Sequence, residues 1–380
     1  MKIDAIDIYR VSMPLVYPFR TAFGNDAVIE SILVRMRSGE MSGWGEATPW
    51  QTPGYSSEFA AGAFLVARDF LAPRLIGKSV ESGAELQRLL SHVKGNYFAK
   101  ASLDLAWWDL NARLLALPLW KVLGGRRDTV DVGADFGIME SIDDLLRTID
   151  GAVRAGFKRI KLKYRPGWDL DMVAAVRGRF PDAVIHVDCN SAYTLAATGM
   201  FQQLDRFGLA MIAQPLMHDD LLDHARLQAA LKTPICLDES ITSVDKARQA
   251  IGIKACGWIN IKPGRVGGLT HAVAIHDVCQ KAGIPCWVGG MLESAVGASH
   301  CLALATLPNF QYPADVFPSD RFFAPDLADP PMALSGPSRM TASGQPGCGA
   351  EPNMDRLARQ TLEHAVLGFR CQVSGVRTET

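Results

Sequence analysis

At 380 residues and 41.3 kDa, the chain is long enough for one large barrel with a smaller domain beside it. Its 39 Lys+Arg and 40 Asp+Glu nearly cancel, and neither sign gathers into a tail, which excludes a global field that would draw nucleic acid or an anionic membrane. No run approaches the ~18 apolar residues of a membrane helix, and Met1–Asp7 alternates like a strand instead of running apolar like a signal peptide, so a cytoplasmic protein is expected.

In chain order, Ile3–Tyr9 alternates, Ile29–Arg37 is rich in β-formers, and Gly43-Trp44-Gly45-Glu46 closes a third strand. Residues 56–123 read as helices. Ala99–Leu117 carries apolar residues at helical spacing, stopped by Pro118 and, one turn on, by Gly124-Gly125. Strands followed by helices predict a small α+β domain over residues 1–125.

From about residue 130, short Val/Ile-rich runs alternate with amphipathic helical stretches, the signature of parallel βαβ units. The expected strands are Val130–Phe136, Arg159–Tyr164, Val184–Cys189, Ala210–Gln214, Ile235–Asp238, Trp258–Lys262 and Pro285–Val288, with an eighth near Phe310–Val316. No Gly-x-Gly-x-x-Gly follows the first of them, which argues against a dinucleotide-binding sheet. A closed α/β barrel over residues 126–325 is expected instead. The eight cysteines are scattered singly with no Cys-x-x-Cys, as in a reduced cytosolic protein, and Cys189 and Cys236 are read as packing.

Barrel enzymes place their chemistry where the strands end. Those tips carry Lys161 and Lys163, then Asp188 with Asn190, then Ala213-Gln214, then Asp238-Glu239, then Lys262. From Lys163 through Asp188, Ala213 and Asp238 to Lys262 the intervals are 25, 25, 25 and 24 residues, one βα unit per step. Singly, each is unremarkable. Lys-x-Lys is usually a solvated edge, and Val-Asp at a strand end is about as often a helix N-cap. Together, charged side chains at one level of a buried barrel are costly unless paired or metal-bound. Hard oxygen donors without clustered Cys or His favour magnesium or manganese over zinc.

Several motifs sharpen this reading. They are Pro18-Phe19-Arg20-Thr21-Ala22-Phe23-Gly24, Gly43-Trp44-Gly45-Glu46, Lys161-Leu162-Lys163 with Pro166-Gly167-Trp168-Asp169, and Asp188-Cys189-Asn190-Ser191. Further on come Leu237-Asp238-Glu239-Ser240, Asn260-Ile261-Lys262 with Gly264-Arg265-Val266-Gly267-Gly268, and Gly289-Gly290-Met291-Leu292-Glu293-Ser294. Through them, from about residue 3 to 325, the chain resembles the enolase superfamily. Within it, the likeness is to the o-succinylbenzoate synthase and N-acylamino acid racemase branch of the muconate lactonizing enzyme subgroup.

The resemblance implies a (βα)7β modified TIM barrel under an N-terminal α+β capping domain, with residues from about 325 to 380 packing back on the cap. It implies a homo-oligomer and a small carboxylate substrate. It also implies magnesium, or manganese, held by Asp188 and Asp238, with Lys163 removing the proton α to the carboxylate. Lys262 acts on the opposite face, and Lys161 and the metal favour the neutral form of Lys163. Phe19 and Phe23 would close over the substrate, which Asp135, Asn190, Gly290, Met291 and Ser294 would contact. The reaction would be dehydration to o-succinylbenzoate, racemisation of N-acylamino acids, or both.

Three positions depart from the branch. The fourth strand should end Glu-Gln-Pro, with the Glu a metal ligand, and here reads Ala213-Gln214-Pro215. Gln214 points to the opposite face by strand alternation, so metal binding is expected to be weak. Asp135 stands where the branch has serine, and would pair with Lys161 or take a cationic group of the substrate. Ala295 replaces a glycine. The alternatives are another cycloisomerase or epimerase activity of the superfamily, or a metal-poor binding protein without catalysis. An epimerase usually carries Asp-x-Asp near the eighth strand, and Asp315-Val316-Phe317 lacks it.

Overall fold

The computed structural model describes residues 1–20 and 24–368. Phe23 and the final stretch, residues 369–380, lie outside the described residues.

The N-terminal part is an antiparallel sheet of β1 (Ala5–Arg20), β2 (Asn25–Ser38) and β3 (Met41–Ala47), with Thr361–Gly368 added to the free edge of β1. One face is covered by α1 (Tyr97–Leu114). The helix lies so close on β3 that a Cβ at Gly43 would sit 2.2 Å from the Leu110 nitrogen, and one at Gly45 2.3 Å from that of Ala106. That contact accounts for the Gly-Trp-Gly-Glu motif, because any side chain at either glycine would push α1 off the sheet. The β1–β2 register breaks between Pro14 and Phe19, and the end of this hairpin reaches the barrel mouth.

Seven parallel strands then follow in sequential order: β4 (Ala134–Phe136), β5 (Arg159–Lys163), β6 (Val184–Asp188), β7 (Ile212–Ala213), β8 (Ile235–Leu237), β9 (Trp258–Ile261) and β10 (Cys286–Val288). The expected eighth strand, Phe310–Val316, is not a regular one. Phe310 bridges to Cys286 and Ala314 to Val132, and Asp315 N donates to Val288 O, so this segment joins the last strand to the first. Pro313 in its middle has no N–H to extend a ladder.

The strands are buried on both faces, as parallel strands are. Ile160, Leu162, Ile185, Val187, Ile212, Ile235, Leu237, Ile259 and Ile261 belong to the main hydrophobic core. The alternate positions carry Arg159, Lys161 and Lys163 on β5, His186 and Asp188 on β6 and Asn260 on β9, whereas Ala213 on β7 and Cys236 on β8 pack in a small apolar cluster with Met211 and Trp287. Short helices between the strands start on capping side chains: Ser141 Oγ accepts from Asp144 N, Asp220 Oδ1 from Asp223 N and Ser243 Oγ from Lys246 N, at 2.9–3.2 Å. Among the described residues no helix is long and apolar enough to cross a membrane. The seven cysteines described are all buried and unpaired, as expected.

Candidate active site

The register across β5, β6 and β7 sets Lys163 beside Asp188 and Asp188 beside Ala213, whereas Ala213 pairs with Cys236, so Asp238 stands two residues further on, just past β8. Lys161, Lys163 and Lys262 line a single cavity together with Asp135, Asn190, Phe19, Gly290 and Met291. Asp188 and Asp238, each 1% exposed, lie beneath it.

The ammonium groups are held by carboxylates. Lys163 Nζ is 2.9 Å from Asp188 Oδ2 and donates to Asn190 Oδ1 at 2.9 Å. Lys161 Nζ is 2.9 Å from Asp315 Oδ2, 3.1 Å from Asp188 Oδ2 and 3.9 Å from Asp135 Oδ2. Lys262 Nζ is 3.3 Å from Asp238 Oδ2 and within 3.1 Å of the Tyr55 hydroxyl. Below Lys161, the fully buried Arg159 pairs with the other oxygen of Asp315 and donates to the main-chain oxygens of Ala134, Pro313 and Ala314.

These neighbours set the charge states. Burial works against the Lys161 ammonium, but Asp315, Asp135 and Asp188 outweigh it and hold it well above the ordinary lysine range. Burial likewise opposes the charge of Asp188, and Lys163 and Lys161 overcome it, keeping its carboxyl well below the usual range. Asp238 is lowered against burial by Lys262 and Arg265. Glu239, buried beside Asp238 and Asp188, is pushed up to about 7.

The structure brings most of the expected residues together. Asn190, with φ of 45°, bridges Lys163 to Glu239 through its amide. Asp135 Oδ1 is buried without a hydrogen-bond partner. Met291 O accepts from Trp50 Nε1 at 2.9 Å. Gly289 leaves room for the lysine, since a Cβ there would lie 2.8 Å from Lys262 Cε. Ser294 is the correction. It does not line the cavity: its hydroxyl donates to Glu46 of β3, its N–H bonds Glu46 at 3.1 Å, and it caps the helix Ala295–Leu304. Gln214 is occupied elsewhere too, accepting from Asp238 N and Ser240 N and donating to Leu216 O and Ser240 Oγ.

Residues that sequence reasoning assigned no role complete the site. Tyr55, from the loop after β3, donates to Asp238 Oδ1 at 3.0 Å and accepts from Lys262 and Arg265. The Arg265 guanidinium pairs with Asp238 Oδ1, donates to Ile241 O and Asn260 O, and is 2% exposed. The motif around Arg265 was a signal that something acts there. Nothing in the pattern around Tyr55 marked it.

The donor set can be tested against the implied magnesium. Among the described residues no three His, Cys, Asp or Glu side chains converge to enclose a metal. Asp238 Oδ2 and Glu239 Oε2 are nevertheless buried carboxylate oxygens that accept no hydrogen bond. Such oxygens suit a hard cation that takes its remaining ligands from water or substrate, and magnesium is commonly bound by one or two carboxylates in that way.

Residues 4–124 match the mandelate racemase / muconate lactonizing enzyme N-terminal domain, and residues 144–356 match the enolase C-terminal domain-like family. The o-succinylbenzoate synthase of Geobacillus kaustophilus is 43% identical over 362 residues, 95% of this chain and 96% of that one. The N-succinylamino acid racemase of an Amycolatopsis species is 43% identical over 369 residues, 97% of this chain and 100% of its own length. The crystal structure of an enolase superfamily member from Listeria innocua superposes with a TM-score of 0.93 at 34% identity, covering 97% of this chain and 99% of that one. The chain belongs to the enolase superfamily and is an enzyme of it, similar to o-succinylbenzoate synthases and N-succinylamino acid racemases.

Proposed function

We propose that this enzyme abstracts the proton α to a carboxylate, with Lys163 and Lys262 as the proton-transferring groups. The products would be o-succinylbenzoate by dehydration, racemised N-acylamino acids, or both. The observation that carries the reading is that the two lysines, on strands four steps apart in the barrel, face one cavity, each with its Nζ beside a buried aspartate.

In this mechanism Lys163 takes the α-proton. The negative charge that develops on the substrate carboxylate is met by the ammonium groups of Lys161 and Lys262. Asp188 and Asp238 would hold a divalent cation, magnesium or manganese, which when bound supplies positive charge beside that carboxylate. In racemisation Lys262 delivers a proton to the other face; in dehydration Lys163 passes its proton to the departing β-hydroxyl, which leaves as water, and Lys262 only stabilises charge. Tyr55 and Arg265 fix Asp238 and Lys262. Phe19, whose ring meets Phe322 edge-on at 5.9 Å, covers the mouth and limits water.

The test is exchange of the α-proton for deuterium in D2O, with and without magnesium, across N-acylamino acids and succinylbenzoate precursors. Exchange with at least one class is the expected result. Exchange with none of them would refute the assignment.

A further inference from the structure

Ala213 offers no ligating atom, and its nearest neighbours are apolar. Its backbone pairs with Asp188 on one side and Cys236 on the other. Its methyl packs with Met211, Cys236 and Trp287. The two remaining carboxylates already face four cations: Lys161 and Lys163 on Asp188, Lys262 and Arg265 on Asp238. A dication approaching alone meets that positive charge with two anionic partners instead of three. Yet Asp238 Oδ2 is buried and accepts no hydrogen bond, although Lys262 lies 3.3 Å away, so a donor oxygen is in place.

We propose that the substrate's own carboxylate supplies the missing charge, so that divalent cation and substrate bind this enzyme cooperatively, each weakly without the other. The proposal rests on the carboxylate chemistry proposed above and deepens it. With a third carboxylate the charge of the cation would be met without substrate, whereas with Ala213 the substrate completes the site. By linkage the effect is reciprocal, and magnesium must tighten the carboxylate by the factor by which the carboxylate tightens magnesium. Glu239, buried next to Asp238, is a competitor for that role. Its Oε1 accepts from Asn190 Nδ2 at 3.0 Å and its Oε2 is buried without a donor. If Glu239 turned in as a third ligand, magnesium would bind without substrate.

Calorimetry of the full chain with magnesium chloride, alone and with saturating o-succinylbenzoate or N-succinylphenylalanine, tests this directly. Magnesium affinity should rise about tenfold or more when either probe is present. Ala213→Glu should bind magnesium alone more tightly and lower the coupling to less than about threefold. Ala213→Gln, of the same bulk without the charge, should keep the weak binding and the coupling. A coupling factor near one in the parent chain, or tight magnesium binding that Glu239→Gln abolishes, would overturn the inference. If α-proton exchange persists in that case, the proposed reaction stands without it. If neither probe binds at any magnesium concentration and no exchange is seen, the proposed reaction falls and the inference falls with it.

Discussion

Lys262 and Tyr55 meet across the two halves of the molecule. The lysine Nζ lies 3.1 Å from the phenol oxygen and 4.7 Å from the ring centroid, although the residues are 207 positions apart in sequence. The same hydroxyl donates to Asp238 and accepts from Arg265, so one side chain of the N-terminal part joins a carboxylate, an amine and a guanidinium. Tyr55→Phe removes those bonds and keeps the ring. With hydrogen bonds to charged groups contributing roughly 1.5–3 kcal/mol each, kcat/KM should fall about ten- to a hundredfold. Stability should fall as well, since the lost bonds are buried, so rates are compared well below the melting temperatures of both proteins. An unchanged rate of α-proton exchange would show that Lys262 is positioned without Tyr55.

The two lysines separate the candidate reactions. Racemisation needs one as base and the other as acid for each enantiomer, so Lys163→Ala and Lys262→Ala should each lower it by roughly 10²–10⁴-fold. Dehydration needs one proton-transferring lysine, and the other then acts by charge alone. Lys262→Arg, which keeps the charge and cannot act as a base near neutral pH, should therefore lose racemisation and retain part of the dehydration. Chiral chromatography and the absorbance of the aromatic product follow the two reactions. Full racemisation by either alanine variant would refute the two-lysine assignment.

Much of this site was legible because a barrel repeats. Each βα unit brings the next strand end to the same mouth, so Lys163 and Lys262 could be placed at one cavity, with Asp188 and Asp238 against them, by counting. Contacts that cross between elements carry no such period. Tyr55 lies in a loop with neither helical nor strand spacing, and only packing of the sheet-and-helix part on the barrel brings it to Lys262. Ser294 was misplaced for the same reason: its motif lies at the mouth, but Glu46 on β3, 248 positions away, takes its hydroxyl and N–H. The strand expected over Ala210–Gln214 shortens to Ile212–Ala213, since Gln214, at φ of 41°, leaves the ladder to bond Asp238 N and Ser240 N.

Asp135 has a carboxylate oxygen facing no donor, and it is the most distant of the three carboxylates paired with Lys161. Asp315 and Asp188 hold that ammonium at 2.9 and 3.1 Å, whereas Asp135 stands at 3.9 Å. Asp135 also borders a second recess, lined by Tyr17, Met139 and Arg321. A substrate carrying an ammonium group should therefore be favoured over its uncharged isostere. Expected is a roughly tenfold or larger preference in kcat/KM for an N-acyl-lysine over the matching N-acyl-norleucine, and loss of that preference in Asp135→Asn. Arg321 makes the opposite outcome informative. Preference for an anionic acyl group, unchanged by Asp135→Asn, would assign recognition to the guanidinium instead.

Beneath the lysines, His186 is fully buried, its Nδ1 3.0 Å from the Tyr312 hydroxyl and its ring edge-on to Trp287. Burial, with Arg159 and Lys161 nearby, holds its pKa well below the ordinary histidine value. Below about pH 6.5 the unfolded chain takes up a proton there and the folded chain does not. Stability therefore falls with acidification, by up to about 1.4 kcal/mol per pH unit for this one group. His224 and His300 are lowered in the same direction by burial. Glu46 and Glu58, both pushed up to about 7 by burial, act oppositely between about pH 4.5 and 7, so the parent protein should show a shallow net dependence. The contribution of His186 is read as a difference. Urea unfolding of His186→Gln, which can keep a hydrogen bond to Tyr312, should show a stability that falls less on going from pH 7 to pH 5.5 than that of the parent, by about 1 kcal/mol. Parallel pH curves for the two proteins would mean that His186 titrates alike in the folded and unfolded chains, and that the barrel floor tolerates a third cation beside Arg159 and Lys161.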